Sequence, residues 1–198
     1  MNDKRITKSM YVVGPKLTQV YTLGRDALTE LENISEDELQ RVQIQSASIE
    51  HDVYLVDLRR RISKCSMIQK YYTENMLKCL PDCKDIVGLS PFISLRSDAV
   101  TQVALKSGLE WIPVEFELTQ KTASRYEEKV TQYYKWPEIR GVLYISANAS
   151  IAQAVSKMER IVMRERTPKF FYAQFKDVLS ASNEITFQNV QGEKFILR

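Results

Sequence analysis

Trp111-Ile-Pro-Val-Glu-Phe-Glu-Leu-Thr119 is the stretch on which the reading of this 198-residue chain turns. Side chains of a strand point alternately to its two faces, so Ile112, Val114, Phe116 and Leu118 share an apolar face while Glu115 and Glu117 share the other. Two carboxylates presented side by side repel each other unless a cation or a basic side chain lies between them. A strand with one greasy face and one doubly acidic face therefore asks for a core on one side and a charged partner on the other.

Working outward, Asp98 lies seventeen residues before Glu115, at the start of an expected strand from Ala99 to Leu105. A turn at Ser107-Gly108 returns the chain, so a hairpin brings Asp98 beside the two glutamates. On the C-terminal side a helix is expected from Thr122 to Lys135, ended by Trp136-Pro137. Its Lys121, Arg125, Lys129 and Tyr133 recur every four residues as one stripe, and Ala123, Tyr126 and Val130 form its buried side. A continuous apolar strand from Val142 to Ser146, a helix from Ser150 to Glu165, and strands Phe170 to Phe175, Ile185 to Gln188 and Phe195 to Leu197 follow. The β-β-α-β order implies a mixed sheet with a right-handed crossover between the Trp111 and Val142 strands.

Earlier in the chain, Tyr11 to Val13 and Leu17 to Leu23 flank Gly14-Pro15 as a short hairpin, and Ala27, Leu28 and Leu31 have helical spacing. Residues 1–45 thus read as an N-terminal hairpin and helix, and residues 46–198 as the main α/β domain. Ile49 to Ile62 suits an amphipathic helix with Arg59, Arg60 and Arg61 at its C-terminal end. Pro81 to Pro91 reads as a loop.

The three carboxylates Asp98, Glu115 and Glu117 are hard oxygen donors of the kind that suit Mg²⁺ or Mn²⁺ and act on a phosphodiester. Lys121 and Lys129 both stand where a lysine holds a phosphate or activates a water. Read without chemistry, the same residues are a half-exposed strand whose Glu115 and Glu117 pair with Lys121 and Arg125. His51 is the one histidine in the chain, which excludes a nuclease that draws two histidines to its metal from this chain. It is either a proton carrier at the edge of the site or a packed helix residue.

The net charge of +3 is too mild to announce a nucleic-acid binder, so distribution matters more. Arg59, Arg60 and Arg61 form one basic cluster, and Lys157, Arg160, Arg164, Arg166 and Lys169 another. Either meets phosphates or covers a solvated helix face. Cys65, Cys79 and Cys83 complete neither a disulfide framework nor a zinc site, and read as reduced thiols. No apolar run approaches the roughly 20 residues of a membrane span, and Met1 to Arg5 lacks a secretion signal, so a cytoplasmic protein with no membrane partner is expected.

The runs Ser97-Asp98-Ala99-Val100, Val114-Glu-Phe-Glu-Leu-Thr-Gln-Lys121, Ser124-Arg-Tyr126 and Lys129 resemble the core of plasmid mobilisation relaxases with a restriction-endonuclease-like, or PD-(D/E)XK, fold, related to the wider replication-relaxation family. The likeness covers about Ile49 to Val162 and is most specific in Glu-x-Glu-x3-Lys-x3-Arg-Tyr. It implies a restriction-endonuclease-like mixed central sheet flanked by helices, with the N-terminal hairpin and helix as the remnant of a winged helix. It further implies that Asp98, Glu115 and Glu117 bind the metal, that Lys121 is the catalytic lysine, and that His51 is a motif residue. Arg59, Arg60, Arg61, Arg125 and Lys129 would then meet DNA, in such relaxases a plasmid transfer origin. Absent reader helices point to a protein partner or a homodimer. Both an activated water and a tyrosine nucleophile are open; Tyr11, Tyr21, Tyr71, Tyr72, Tyr126 and Tyr133 are candidates, Tyr126 and Tyr133 count with His51 among the further site residues, and none is assigned the nucleophile's role. A non-catalytic DNA-binding or assembly protein that keeps this fold, and a defence or counter-defence nuclease, are the competing readings.

Overall fold

The computed structural model describes residues 6–13, 16–23, 48–79 and 86–198, the first two segments as backbone. Strands β1 (Ile6–Val13) and β2 (Lys16–Leu23) form an antiparallel hairpin, with Val13 opposite Lys16. This is longer than the sequence suggests, and the helix expected around Ala27 to Leu31 lies outside the described residues. Helix α1 (Ile49–Ile62) follows, then β3 (Ile68–Thr73), α2 (Glu74–Cys79), α3 (Ser90–Leu95), β4 (Ala99–Leu105), β5 (Gly108–Glu117) and α4 (Ala123–Tyr134). The chain continues through β6 (Val142–Ser146), α5 (Ala149–Met163), β7 (Phe170–Gln174), α6 (Phe175–Ser180), β8 (Ile185–Gln188) and β9 (Lys194–Leu197).

Strands β3 to β9 make one seven-stranded mixed sheet in sequence order. β3, β4 and β5 are antiparallel, β5, β6 and β7 are parallel, and β7, β8 and β9 are antiparallel again. The parallel steps need long connections, and α4 and α5 supply them. The sheet curls so far that the two edges meet: the Arg198 carbonyl, just past β9, accepts from the Met67 N–H at 3.0 Å and the Ser66 hydroxyl at 3.1 Å, just before β3.

Each sheet face carries its own core. On one, Tyr126, Val130 and Tyr133 of α4 and Ile151 and Val155 of α5 pack on Val100, Val142, Tyr144 and Phe170. On the other, Leu58 and Ile62 of α1 and Val178 of α6 pack on Val103, Ile112, Val114, Phe116 and Ile145. The alternation read in the Trp111 to Thr119 stretch is therefore a division between two cores, with Phe116 sent to one and Glu115 to the other. Ala123, expected on the buried side of its helix, is exposed, because it is the first helical residue and projects beyond the sheet.

Four elements of the main sheet region, β3, α2, α3 and α6, differ from expectation, α6 starting at Phe175 where a strand was expected to end. β3 was not expected, since Gln69 and Lys70 interrupt its apolar pattern and the register shifts between Ile68 and Lys70. α2 was not expected either. Part of the Pro81 to Pro91 loop is the start of α3, where Pro91 sits in the first turn and its missing N–H costs nothing. No helix among the described residues is long and apolar enough to cross a membrane.

Glu159 of α5 fastens the helical layer to the sheet. It is fully buried, and its Oε1 accepts from Tyr134 Oη and from the Lys169 and Phe170 amides, each at 2.9 Å, while Oε2 accepts from Tyr172 Oη at 2.8 Å. Glu159→Gln replaces one acceptor with an amide facing donors, and should lower unfolding stability in urea by about 3 kcal/mol. The Tyr71 hydroxyl, by contrast, is buried with no hydrogen-bond partner among the described residues. Tyr71→Phe should therefore leave stability unchanged or raise it by about 1 kcal/mol, whereas an equal loss in both variants would contradict the assignment.

Candidate functional site

β5 outruns its neighbour. Ala99, the first residue of β4, pairs with Val114, so residues 115–117 extend past the start of β4. On the other side Glu115 and Glu117 stay in register with Tyr144 and Ser146 of β6. The peptide of Phe116 is thus left open on the β4 side, and two side chains close it. Asp98 Oδ2 accepts the Phe116 N–H at 2.8 Å, and His51 Nε2 donates to the Phe116 carbonyl at 3.1 Å. The His51 ring also stacks on Phe116 at 5.2 Å, and its Nε2 stands 3.9 Å from Asp98 Oδ2.

Asp98 is aimed here by the end of α3. Arg96 adopts a left-handed conformation (φ 52°, ψ 50°) and caps the helix, turning the chain so that Ser97 is fully buried and Asp98 stands at the mouth. The Ser97 hydroxyl lies 2.8 Å from Tyr133 Oη, and Tyr133 in turn donates to Glu115 Oε1. Glu115 Oε2 takes the Lys129 ammonium at 2.7 Å. Both oxygens of this buried carboxylate are thereby met from α4, by Tyr133 and Lys129, four residues apart on one helix face. Glu117, at the sheet end, is less buried and pairs with Lys121 at 3.3 Å. Lys121 also reaches Thr119 Oγ1 at 3.0 Å.

Burial pushes the Glu115 carboxyl up to about 7, against the pull of Lys129. Burial likewise raises Asp98, offset by Lys129, the Phe116 N–H and His51, and raises Glu117, offset mainly by Lys121. Lys129 is raised despite its own burial, because Glu115, Asp98 and Glu117 all surround it. Three carboxyls thus face two lysines, and the cluster carries a negative surplus only where Glu115 is ionised, as pH rises through about 7.

A cleft of about 1310 Å³ opens over this cluster, bounded by α1 and α4. Arg59, Arg60, Arg96 and Arg125 line it, and none of them has an ion-pair partner among the described residues. The floor is acidic and the rim basic.

The structure brings Asp98, Glu115, Glu117, Lys121, Lys129, His51 and Tyr133 together, but not as one preformed metal shell. Among the described residues no three His, Cys, Asp or Glu side chains are grouped to hold an ion. The physical reason is that Lys129 lies on Glu115, Lys121 on Glu117, and Asp98 is turned to a backbone amide. The donor atoms are hard carboxylate oxygens of the type Mg²⁺ or Mn²⁺ takes, on carboxyls raised by burial, but they are not gathered around one point.

Several assignments shift. Lys129, expected at the DNA, holds the central carboxylate, and Lys121 stands at the margin. Arg61 does not face the cleft: its guanidinium donates to the Ala181 carbonyl at 2.9 Å and the Ser182 carbonyl at 3.3 Å. The basic group around Lys157 to Lys169 is partly absorbed, with Arg160, Arg166 and Lys169 donating to backbone carbonyls. Tyr126 Oη accepts the Lys121 N–H at 2.8 Å, and Tyr133 is fully buried with its hydroxyl held well above the ordinary tyrosine range by burial and Glu115. Both tyrosine hydroxyls are thus hydrogen-bonded within the site, Tyr133 to Glu115 and Tyr126 to the Lys121 amide. Cys65 is a free, buried thiol, while Cys83 and the Cys79 side chain lie outside the described residues. Tyr144 and Arg96 were missed. Tyr144 stands in the middle of an apolar strand, and only its pairing with Glu115 places it at the acids.

Because burial favours neutral Glu115, the stability tied to that proton is complete below pH about 4.5 and is lost as pH rises through about 7. At about 1.4 kcal/mol per pH unit, the loss is about 3 kcal/mol. Chemical denaturation at pH 5 and pH 8 should show wild-type stability falling by more than that of Glu115→Gln. Parallel falls would overturn the assignment.

Comparison with known proteins finds no matching family model, no matching curated protein and no matching solved structure, so the roles of these residues follow from their geometry and chemistry.

Proposed function

We propose that this protein is a metal-dependent DNA endonuclease with a restriction-endonuclease-like core, nicking DNA in the mobilisation or replication of a plasmid or other mobile element. The observation that carries the reading is the convergence of Asp98, Glu115 and Glu117 around Lys129 on the floor of an arginine-rimmed cleft. The β-β-α-β order of β4, β5, α4 and β6, with the acids at the strand ends, supports the fold assignment.

Asp98, Glu115 and Glu117 would hold Mg²⁺ or Mn²⁺, which when bound neutralises phosphate charge and makes an attacking water more acidic. Lys129 is kept an ammonium by the neighbouring acids and, where a metal ion takes over Glu115, would hold a phosphate oxygen. Tyr133 and Ser97 fix Glu115 from behind, and His51 fixes the Phe116 peptide. The rim arginines draw the DNA backbone into the cleft. With Tyr126 and Tyr133 engaged, hydrolysis by water is the favoured chemistry.

A second reading is supported by the same lysines. Glu115 and Glu117 are already paired, as a DNA-binding or assembly protein that kept the fold without cutting would have them.

Nicking of supercoiled plasmid with Mg²⁺ or Mn²⁺ decides between the two. Metal-dependent nicking is expected, abolished by Glu117→Ala and slowed at least about a hundredfold by Lys129→Ala, with a much smaller effect of Lys121→Ala. Preference for a plasmid carrying a transfer origin selects the mobilisation branch, and indifference to sequence selects a defence nuclease. DNA binding without metal or nicking selects the non-catalytic protein.

A further inference from the structure

Helix α1 lies along the cleft rather than across its end. Its His51, Asp52, Leu55, Val56, Arg59 and Arg60 all face the opening, at the alternating three- and one-residue spacing of a single helical face. The helix is fastened at both ends. Near its start, His51 is bonded to the Phe116 carbonyl beside the acids. Near its end, Arg61 is bonded to the carbonyls of Ala181 and Ser182. Between the fastenings Val56 is 51% exposed, an aliphatic surface turned toward the cleft. Arg59 and Arg60 are exposed, carry no acidic partner among the described residues, and stand beyond it.

A helix advances 1.5 Å per residue, so Arg59 lies about 12 Å along the axis from His51. We infer that α1 is a rail for one DNA strand, with Arg59 and Arg60 holding phosphates to one side of the bond at the carboxylates and Val56 lying against the sugars between. This rests on the nuclease reading of the same cleft and adds to it a fixed, one-sided footprint. Arg61, although adjacent in sequence, contributes to the rail only by anchoring it.

The test is the salt dependence of binding to a fluorescent duplex without metal, measured for the wild type, Arg59→Ala/Arg60→Ala, Arg59→Lys/Arg60→Lys, and the off-cleft control Lys157→Ala/Lys194→Ala. The slope of log affinity against log salt should shrink by about 1.8 in the arginine-to-alanine variant, recover with lysine, and stay near wild type in the control. In the nicking reaction, methylphosphonates placed singly along the strand should slow the wild type at positions on one side of the nick only, and should not slow the arginine-to-alanine variant there. An unchanged slope, an equal drop in the control, or no binding by the wild type overturns the rail. Wild-type binding with the expected slope change but no nicking upholds the rail as a binding surface and counts against the enzyme alone.

Discussion

A carboxylate in the interior is tolerated only when other groups meet its charge, and Glu115 imposes that demand on everything around it. The Tyr133 hydroxyl and the Lys129 ammonium must come from the same helix face, which fixes the rotation of α4 over the sheet. Ser97 must then stand behind Tyr133, which fixes the exit of α3 and, one residue on, the position of Asp98. Lys129, drawn in by Glu115, becomes the shared partner of Asp98 and Glu117 as well. One buried acid thus orients three elements and collects the remaining charged groups.

Glu159 makes an instructive contrast. It is equally buried, but four donors satisfy it and leave no room for another ligand. The donors around Glu115 are fewer, the neighbouring acids are closer, and a cleft opens beside it. Saturation makes Glu159 a structural rivet, whereas Glu115 keeps its charge partners beside an open cleft.

The parts of this arrangement legible in the sequence were those governed by short-range periodicity. Alternation in β5 separates Phe116 from Glu115, and the four-residue stripe on α4 places Lys129 and Tyr133 on the acidic side. The hairpin returns Asp98 to them. What escaped detection depends on pairing between distant segments. That Lys129 meets Glu115 while Lys121 keeps to Glu117 requires knowing that β5 ends at Glu117, which leaves Lys121 outside the sheet. Arg61 is indistinguishable in sequence from Arg59 and Arg60, and only the approach of Ala181 and Ser182 separates them. Tyr144 looks like core until β6 is laid beside β5. The edge strand β3 carries too few apolar residues to announce itself.

The overhang of β5 has a consequence for observation as well as for chemistry. Most strand amides in this sheet are shielded by another strand, but that of Phe116 is shielded by the carboxylate of Asp98. Whatever draws Asp98 away, whether a cation, a proton or a substrate, uncovers a backbone proton in the same motion. Its chemical shift and its exchange with solvent are therefore a native gauge of the acid cluster, needing no label beyond isotopic nitrogen. The molecule carries its own indicator beside the acid cluster.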